Sequence, residues 1–123
     1  MTQWAQPGAD ALLAGGAFPT TIYIARHTGD PGDDGLANAA TDTRRIEVDL
    51  GTPADGVVAN STYGEILNAT TTEDITHVSW WGASSGGVCY VIDALAVTLE
   101  IESGQTVSVA IGQAVATLPL WGA

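Results

Sequence analysis

Gly82-Ala83-Ser84-Ser85-Gly86 spells G-x-S-x-G, the arrangement in which a serine nucleophile sits on a sharp strand-to-helix turn for acyl transfer. That chemistry needs a helix after the turn and a sheet large enough to carry acid and base partners. Here Ser84 is followed by the strand-like run Val88 to Asp93, so a hairpin turn is the reading that fits. Asp30, Asp33 and Asp34 place three carboxylates on one Gly/Pro loop, and a hard cation such as Ca²⁺ takes about six to eight oxygen ligands. The spacing is not that of an EF-hand, and Asp side chains in such loops commonly bond their own backbone amides, so the loop is read as a solvated turn, a contact loop or a Ca²⁺ site, in that order. His27 and His77 form a metal pair only if the fold brings them together. Otherwise each lines a strand and bonds a backbone carbonyl, and His27, beside the acidic loop, is placed to stiffen it. Cys89 has no internal partner and no adjacent cation; flanked by Val88, Tyr90 and Val91, it reads as a small buried hydrophobe. None of these groups makes a catalytic constellation, so the chain is expected not to be an enzyme and to need no cofactor.

Residues suited to contact are better represented. Trp80 and Trp81 adjoin on one strand, so their rings face opposite sides, one toward the core and one toward a second partner. That partner is another layer, a neighbouring subunit or a carbohydrate. Trp4 lies in an N-terminal segment, Met1 to Pro7, that reads either as an arm docking on a neighbour or as a frayed tail. Trp4, Tyr23, Trp80 and Trp81 are the residues expected at an interface. Arg44 and Arg45 are too few for a basic patch and are expected to pair with carboxylates.

The charge balance narrows the partners. Fourteen acidic residues stand against three arginines, Arg26, Arg44 and Arg45, with no lysine, for a formal charge of −11. Phosphate binding needs clustered cations, so nucleic acid and anionic membranes are excluded as partners. The N-terminal segment lacks a basic region, and its apolar run is too short and glycine-broken for a signal peptide or a membrane span, so synthesis in a host cytoplasm is expected. Two N-x-[ST] sequons, at Asn60 and Asn68, carry no meaning without secretion.

These residues must be positioned by strands. A short helix is expected from Asp10 to Ala14, with Asp10 as N-cap and Gly15-Gly16 as the stop. After it, strands are expected at 20–27, 45–50, 57–58, 62–67, 75–81, 88–93, 96–102, 106–111 and 114–118. In the second of these Ile46, Val48 and Leu50 face one way and Glu47 and Asp49 the other. Val97, Leu99 and Ile101 answer Val107, Val109 and Ile111 across Ser103-Gly104-Gln105, which predicts an antiparallel hairpin over Ala96 to Ile111. Many short strands without intervening helices predict an all-β fold: one antiparallel β-sandwich or jelly-roll-like domain over residues 20–123, preceded by an arm or short helix over 1–19.

Three stretches in this order carry a family resemblance: IYIARHTGDPGDDG from Ile22 to Gly35, THVSWWGASSGGVCYV from Thr76 to Val91, and LEIESGQTVSVAIGQAVATL from Leu99 to Leu118. They resemble small virion proteins of tailed phages, often labelled tail-fibre proteins. One departure is the replacement of a Gly-Gly-Tyr-Ala-Arg type segment by NAATDTRR at Asn38 to Arg45, so no family role passes to Arg44 or Arg45. The resemblance implies a virion component without catalytic residues, at the outer surface of the head or on the tail. Its size and charge fit a capsid decoration or cement protein that trimerises and binds the major capsid protein. The alternative is a tail-fibre or tail-tip module that binds a host receptor or glycan.

Overall fold

Strand formation follows the alternation of apolar and polar side chains. In Ile46–Asp49, Ile46 and Val48 are buried while Glu47 and Asp49 are exposed, and in Thr21–His27 the buried Ile22 and Ile24 alternate with half-buried Thr21, Tyr23 and Ala25. The computed structural model describes residues 2–8, 19–52 and 57–117. Among these it contains β1 (Thr2–Trp4), β2 (Thr21–His27), β3 (Ile46–Asp49), β4 (Val57–Ala59), β5 (Gly64–Ile66), β6 (Glu73–Trp81), β7 (Cys89–Ile101), β8 (Val107–Val109) and β9 (Val115–Thr117). The fold is all-β, and every strand pairing is antiparallel. The expected helix at Asp10 to Ala14 lies outside the described residues. No helix among the described residues is long and apolar enough to cross a membrane.

The main sheet runs β1-β7-β6-β2-β3. Its inner face carries Ile22, Ile24, Ile46, Val48, Trp80 and Val91, and these form one buried cluster with Val58, Ile66, Val107 and Ala116. The latter four belong to two separate ribbons, β4-β9 and β5-β8, which together make the opposing layer. Burying these side chains against one another is the main favourable term in the fold. The close approach of the layers shows at Gly64: a Cβ there would lie 2.5 Å from the Glu47 carbonyl oxygen and 2.6 Å from Val48 Cγ1.

Two expectations about the C-terminal half are corrected. The runs 88–93 and 96–102 are one strand, β7, which bulges: His77 of β6 pairs with Ala94 and Ile75 with Leu99, so four residues of β7 oppose Thr76 alone. The hairpin expected over Ala96 to Ile111 does not form. Gly104 N donates to the Ala69 carbonyl (2.7 Å) and Ala69 N to that of Gln105 (2.8 Å), so the turn is tied to the β5–β6 connection. The chain thereby crosses between layers, and β8 pairs with β5 instead of β7. Alternation gave both strands a buried face, but it does not specify which strand each one meets.

Replacing Gly64 by valine should therefore lower stability by about 2–3 kcal/mol, because the blocking atoms include backbone that cannot swing aside. Urea unfolding checks this; an unchanged midpoint would mean that the two layers are not in contact there.

Candidate contact surface

The loop after β2 closes over the outer face of the sheet. Its carboxylates act locally: Asp30 Oδ1 accepts from Gly32 N (2.9 Å) and Asp34 Oδ1 from Leu36 N (3.0 Å), each bonding the amide two residues on. Asn38 Nδ2 donates to the Asp30 carbonyl, and Gln6 N to that of Asp33, so the N-terminal segment is pinned to the loop. Among the described residues no three His, Cys, Asp or Glu side chains group so as to hold a metal ion.

His27 anchors this loop through a chain of hydrogen bonds whose direction follows from its ends. The Ala37 carbonyl, 3.0 Å from His27 Nδ1, can only accept, so Nδ1 carries the proton. Nε2 then accepts from the Ser79 hydroxyl at 2.7 Å, and Ser79 Oγ accepts from Trp81 Nε1–H at 2.7 Å. The neutral imidazole satisfies every member; a charged one leaves the Ser79 proton without an acceptor. Burial pushes the His27 pKa below its ordinary value. His77 does lie beside His27 across the β2–β6 pair, but its Nδ1 bonds Thr76 Oγ1 at 2.8 Å and both His27 nitrogens are engaged.

The tryptophan pair divides as alternation requires, and both rings are buried. Trp80 is 1 % exposed in the main core. Trp81, 5 % exposed, joins Ala5, Cys89 and Ile92 in a second cluster on the outer face, against which Tyr23 and Ala25 pack. The second partner of Trp81 is thus the chain itself: Arg45 lies 4.1 Å over its ring, and a Cβ on Gly35 would stand 3.2 Å from its Cζ2 and 2.6 Å from Cys89 Sγ. Gly35 also has φ 76°, which suits glycine. Burial pushes the Cys89 thiol up to about 12, leaving it inert. Trp4, half-buried, is the last residue of β1; it pairs with Val91 and packs on the main core, so the arm docks on its own sheet. Ser84 occupies an exposed turn whose Ala83 and Gly86 carbonyls accept from Arg45 Nη1 (2.7 and 2.8 Å).

Of the two arginines expected to pair with carboxylates, Arg44 meets Asp42, whereas Arg45 stacks on Trp81 and donates to carbonyls instead; that Asp42 is buried and also meets Arg26 was not anticipated. Asp42 is 4 % exposed and meets Arg44 through two bonds (Nε–Oδ1 2.9 Å, Nη2–Oδ2 2.7 Å) and Arg26 Nη2 at 3.3 Å. Hydrogen bonding from Arg44 holds its carboxyl well below the usual range. The signal was present: Arg26 shares the parity of Ile22 and Ile24, so it points inward and requires an acidic partner.

Exposed apolar side chains mark a different surface from the tryptophans. The β7 bulge turns Val97 outward to 81 % exposure, with Leu99 at 44 % on the same strand and Ile111 at 68 % beyond β8. Bulges re-aim side chains and interrupt pairing, and this one presents an uncharged knob on an anionic protein.

Fold and core together define a two-layer antiparallel β-domain. Residues 2–117 match the sequence model of Podophage GP4 fiber I protein gp80, and the chain belongs to that family: it is a phage tail-fibre-like virion protein. No curated protein matches.

The His27 chain makes stability pH-dependent. Its folded pKa lies below 6.5, so on acidification the unfolded chain takes up this proton first. The His27 contribution is complete above 6.5 and is lost as pH falls toward the folded value. Urea unfolding should give lower stability at about pH 5.5 than at about pH 7.5, with the His27 ring titrating below the ordinary histidine value by NMR. A His27 midpoint above that value would contradict the neutral chain.

Proposed function

We propose that this chain is a non-enzymatic structural module of a phage tail fibre, joined to other virion proteins through exposed apolar side chains of β7, Val97 and Leu99. The family match over residues 2–117 carries the reading. The chemistry of the chain supports it. All three arginines are engaged within the chain, so what remains for a partner is an acidic exterior with a few apolar knobs. A large negative charge discourages indiscriminate association, and apolar contact supplies affinity where charge does not.

A capsid decoration or cement role, in which the domain binds the major capsid protein, is the second reading. The chain's acidity favours it, since a strongly negative module stays dispersed on an exterior surface. The family description names a fibre, which supports the tail reading over the head. Binding of a host receptor or glycan would be a property of the same fibre.

Cryo-electron microscopy of virions separates the two: density at the tail supports the fibre module, whereas density repeated over the head supports cement and overturns it. Within the fibre reading, Val97→Lys should reduce incorporation into particles at least about tenfold, the loss of roughly 1.4 kcal/mol or more of contact energy, while leaving the urea midpoint of the purified protein unchanged. Full incorporation of Val97→Lys would remove this surface from the account.

A further inference from the structure

The two edges of the main sheet are guarded differently. At β3 the edge strand carries the exposed charges Glu47 and Asp49, the Asp49 carbonyl accepts from Ser61 N (2.8 Å), and Asp49 N donates to Thr62 Oγ1 (2.8 Å). At the other edge, β1 covers β7 only from Val91 to Asp93. Beyond that point, among the described residues, no strand or loop bonds the backbone of residues 94–101 on the side away from β6. The bulge opens this stretch further: residues 95–98 stand opposite Thr76 alone and have no register partner on β6.

An open edge strand is a template for pairing with another chain, and proteins ordinarily block it with charge or proline. Residues 94–99 carry neither, in a chain with fourteen acidic residues. Five of these six side chains are exposed, Val97 to 81 % and Leu99 to 44 %. Asp93 and Glu100 bracket the uncharged run, and their positions decide what can lie against it. A second copy aligned parallel and in register sets Asp93 against Asp93 and Glu100 against Glu100, which is repulsive. Turned antiparallel about Val97, it sets Val97 on Val97, Leu95 on Leu99, Ala94 on Glu100 and Asp93 on Ile101, with no like charges opposed. The edge is thus complementary to itself in the two-fold arrangement of an isologous dimer.

We propose that the edge of β7 at residues 94–99 pairs with the same edge of a second copy, antiparallel and centred on Val97. The proposal rests on the contact surface assigned above to Val97 and Leu99, and it names the partner. Apolar contact at Leu95, Val97 and Leu99 supplies the affinity, while the formal charge of −11 on each copy opposes it. Salt therefore tightens this dimer, the reverse of its effect on a contact between opposite charges. One short strand pair is smaller than a standard interface, so the dimer is a weak one.

The test is analytical ultracentrifugation of the full chain from about 10 μM to about 1 mM, at about 0.05 M and about 0.5 M NaCl. A monomer–dimer equilibrium is expected, with a Kd of about 100 μM or tighter at the higher salt and a weaker one at the lower. Val97→Asp, which opposes two carboxylates at the centre of the pair, should raise the Kd at least about tenfold with an unaltered urea midpoint. Val97→Cys should form an intermolecular disulfide under mild oxidation at least about tenfold faster than Ser84→Cys, which lies on an exposed turn outside the edge; the natural Cys89 is fully buried. A monomer at about 1 mM, a trimer, a dimer that salt weakens or that Val97→Asp leaves intact, or equal cross-linking of the two introduced thiols would overturn the proposal. The fibre reading is decided separately on virions: if the protein is monomeric and Val97→Lys still fails to enter particles, the homotypic pair falls and the edge serves a different virion protein.

Discussion

One buried carboxylate ties the end of β2 and the start of β3 to the β5–β6 connection, with which neither strand pairs. Asp42 sits between Arg26 at the end of β2 and Arg44 just before β3, and its Oδ2 also accepts from Thr70 N at 3.3 Å. Arg44 reaches on to the Leu67 and Asn68 carbonyls, at 2.9 and 3.1 Å. Glu73, the first residue of β6, accepts from the amides of Thr41 and Asp42. The cluster therefore joins the main sheet to the β5–β6 connection, which leads to the opposing layer. A buried ion pair is not by itself a source of stability, because desolvation offsets much of the attraction. Once formed, however, removing one partner strands the others, and that makes Asp42 a point on which the local architecture depends.

The same economy of cations shapes the exterior. Arg26 and Arg44 converge on Asp42, and Arg45 covers Trp81 while holding the turn at Ala83 and Gly86. With all three positive side chains engaged internally, the surface is left acidic. The outer face of the sheet is closed by the loop after β2, locked by the directed chain from Trp81 through Ser79 and His27 to Ala37. Trp80 and Trp81 are thus enclosed, while Val97 is left exposed. That division suits a virion protein, which must remain dispersed until it assembles.

Much of this was legible in local pattern. Strands β2 and β3 follow from alternation, the Gly/Pro loop from its composition, and the opposite facing of Trp80 and Trp81 from strand geometry. Cys89 as a packed thiol and His27 as a stiffener of its loop were likewise readable from neighbours. Pairing was not, because alternation specifies which face of a strand is buried and says nothing about the strand across from it. The expected hairpin from Ala96 to Ile111 failed for that reason, since Ala69, distant in sequence, captures the turn. The bulge in β7 escaped notice because a single alternating run with extra residues reads as two strands. The Asp42 cluster was half legible: the parity of Arg26 demands an acidic partner, but which of fourteen acids supplies it depends on tertiary structure.

The most direct test of this account is the stability of Asp42→Asn, an almost isosteric change that removes the charge, followed by urea unfolding across pH. At neutral pH the variant should be about 3 kcal/mol less stable than the natural protein, because two guanidinium groups lose their counter-ion. The carboxyl of Asp42 is held low in the folded state, so its contribution is present above pH ~4 and is lost as pH falls below that; the gap between the two proteins should therefore close in acid. Equal midpoints at neutral pH, or a gap that persists in acid, would contradict the claim that this carboxylate holds the layers together.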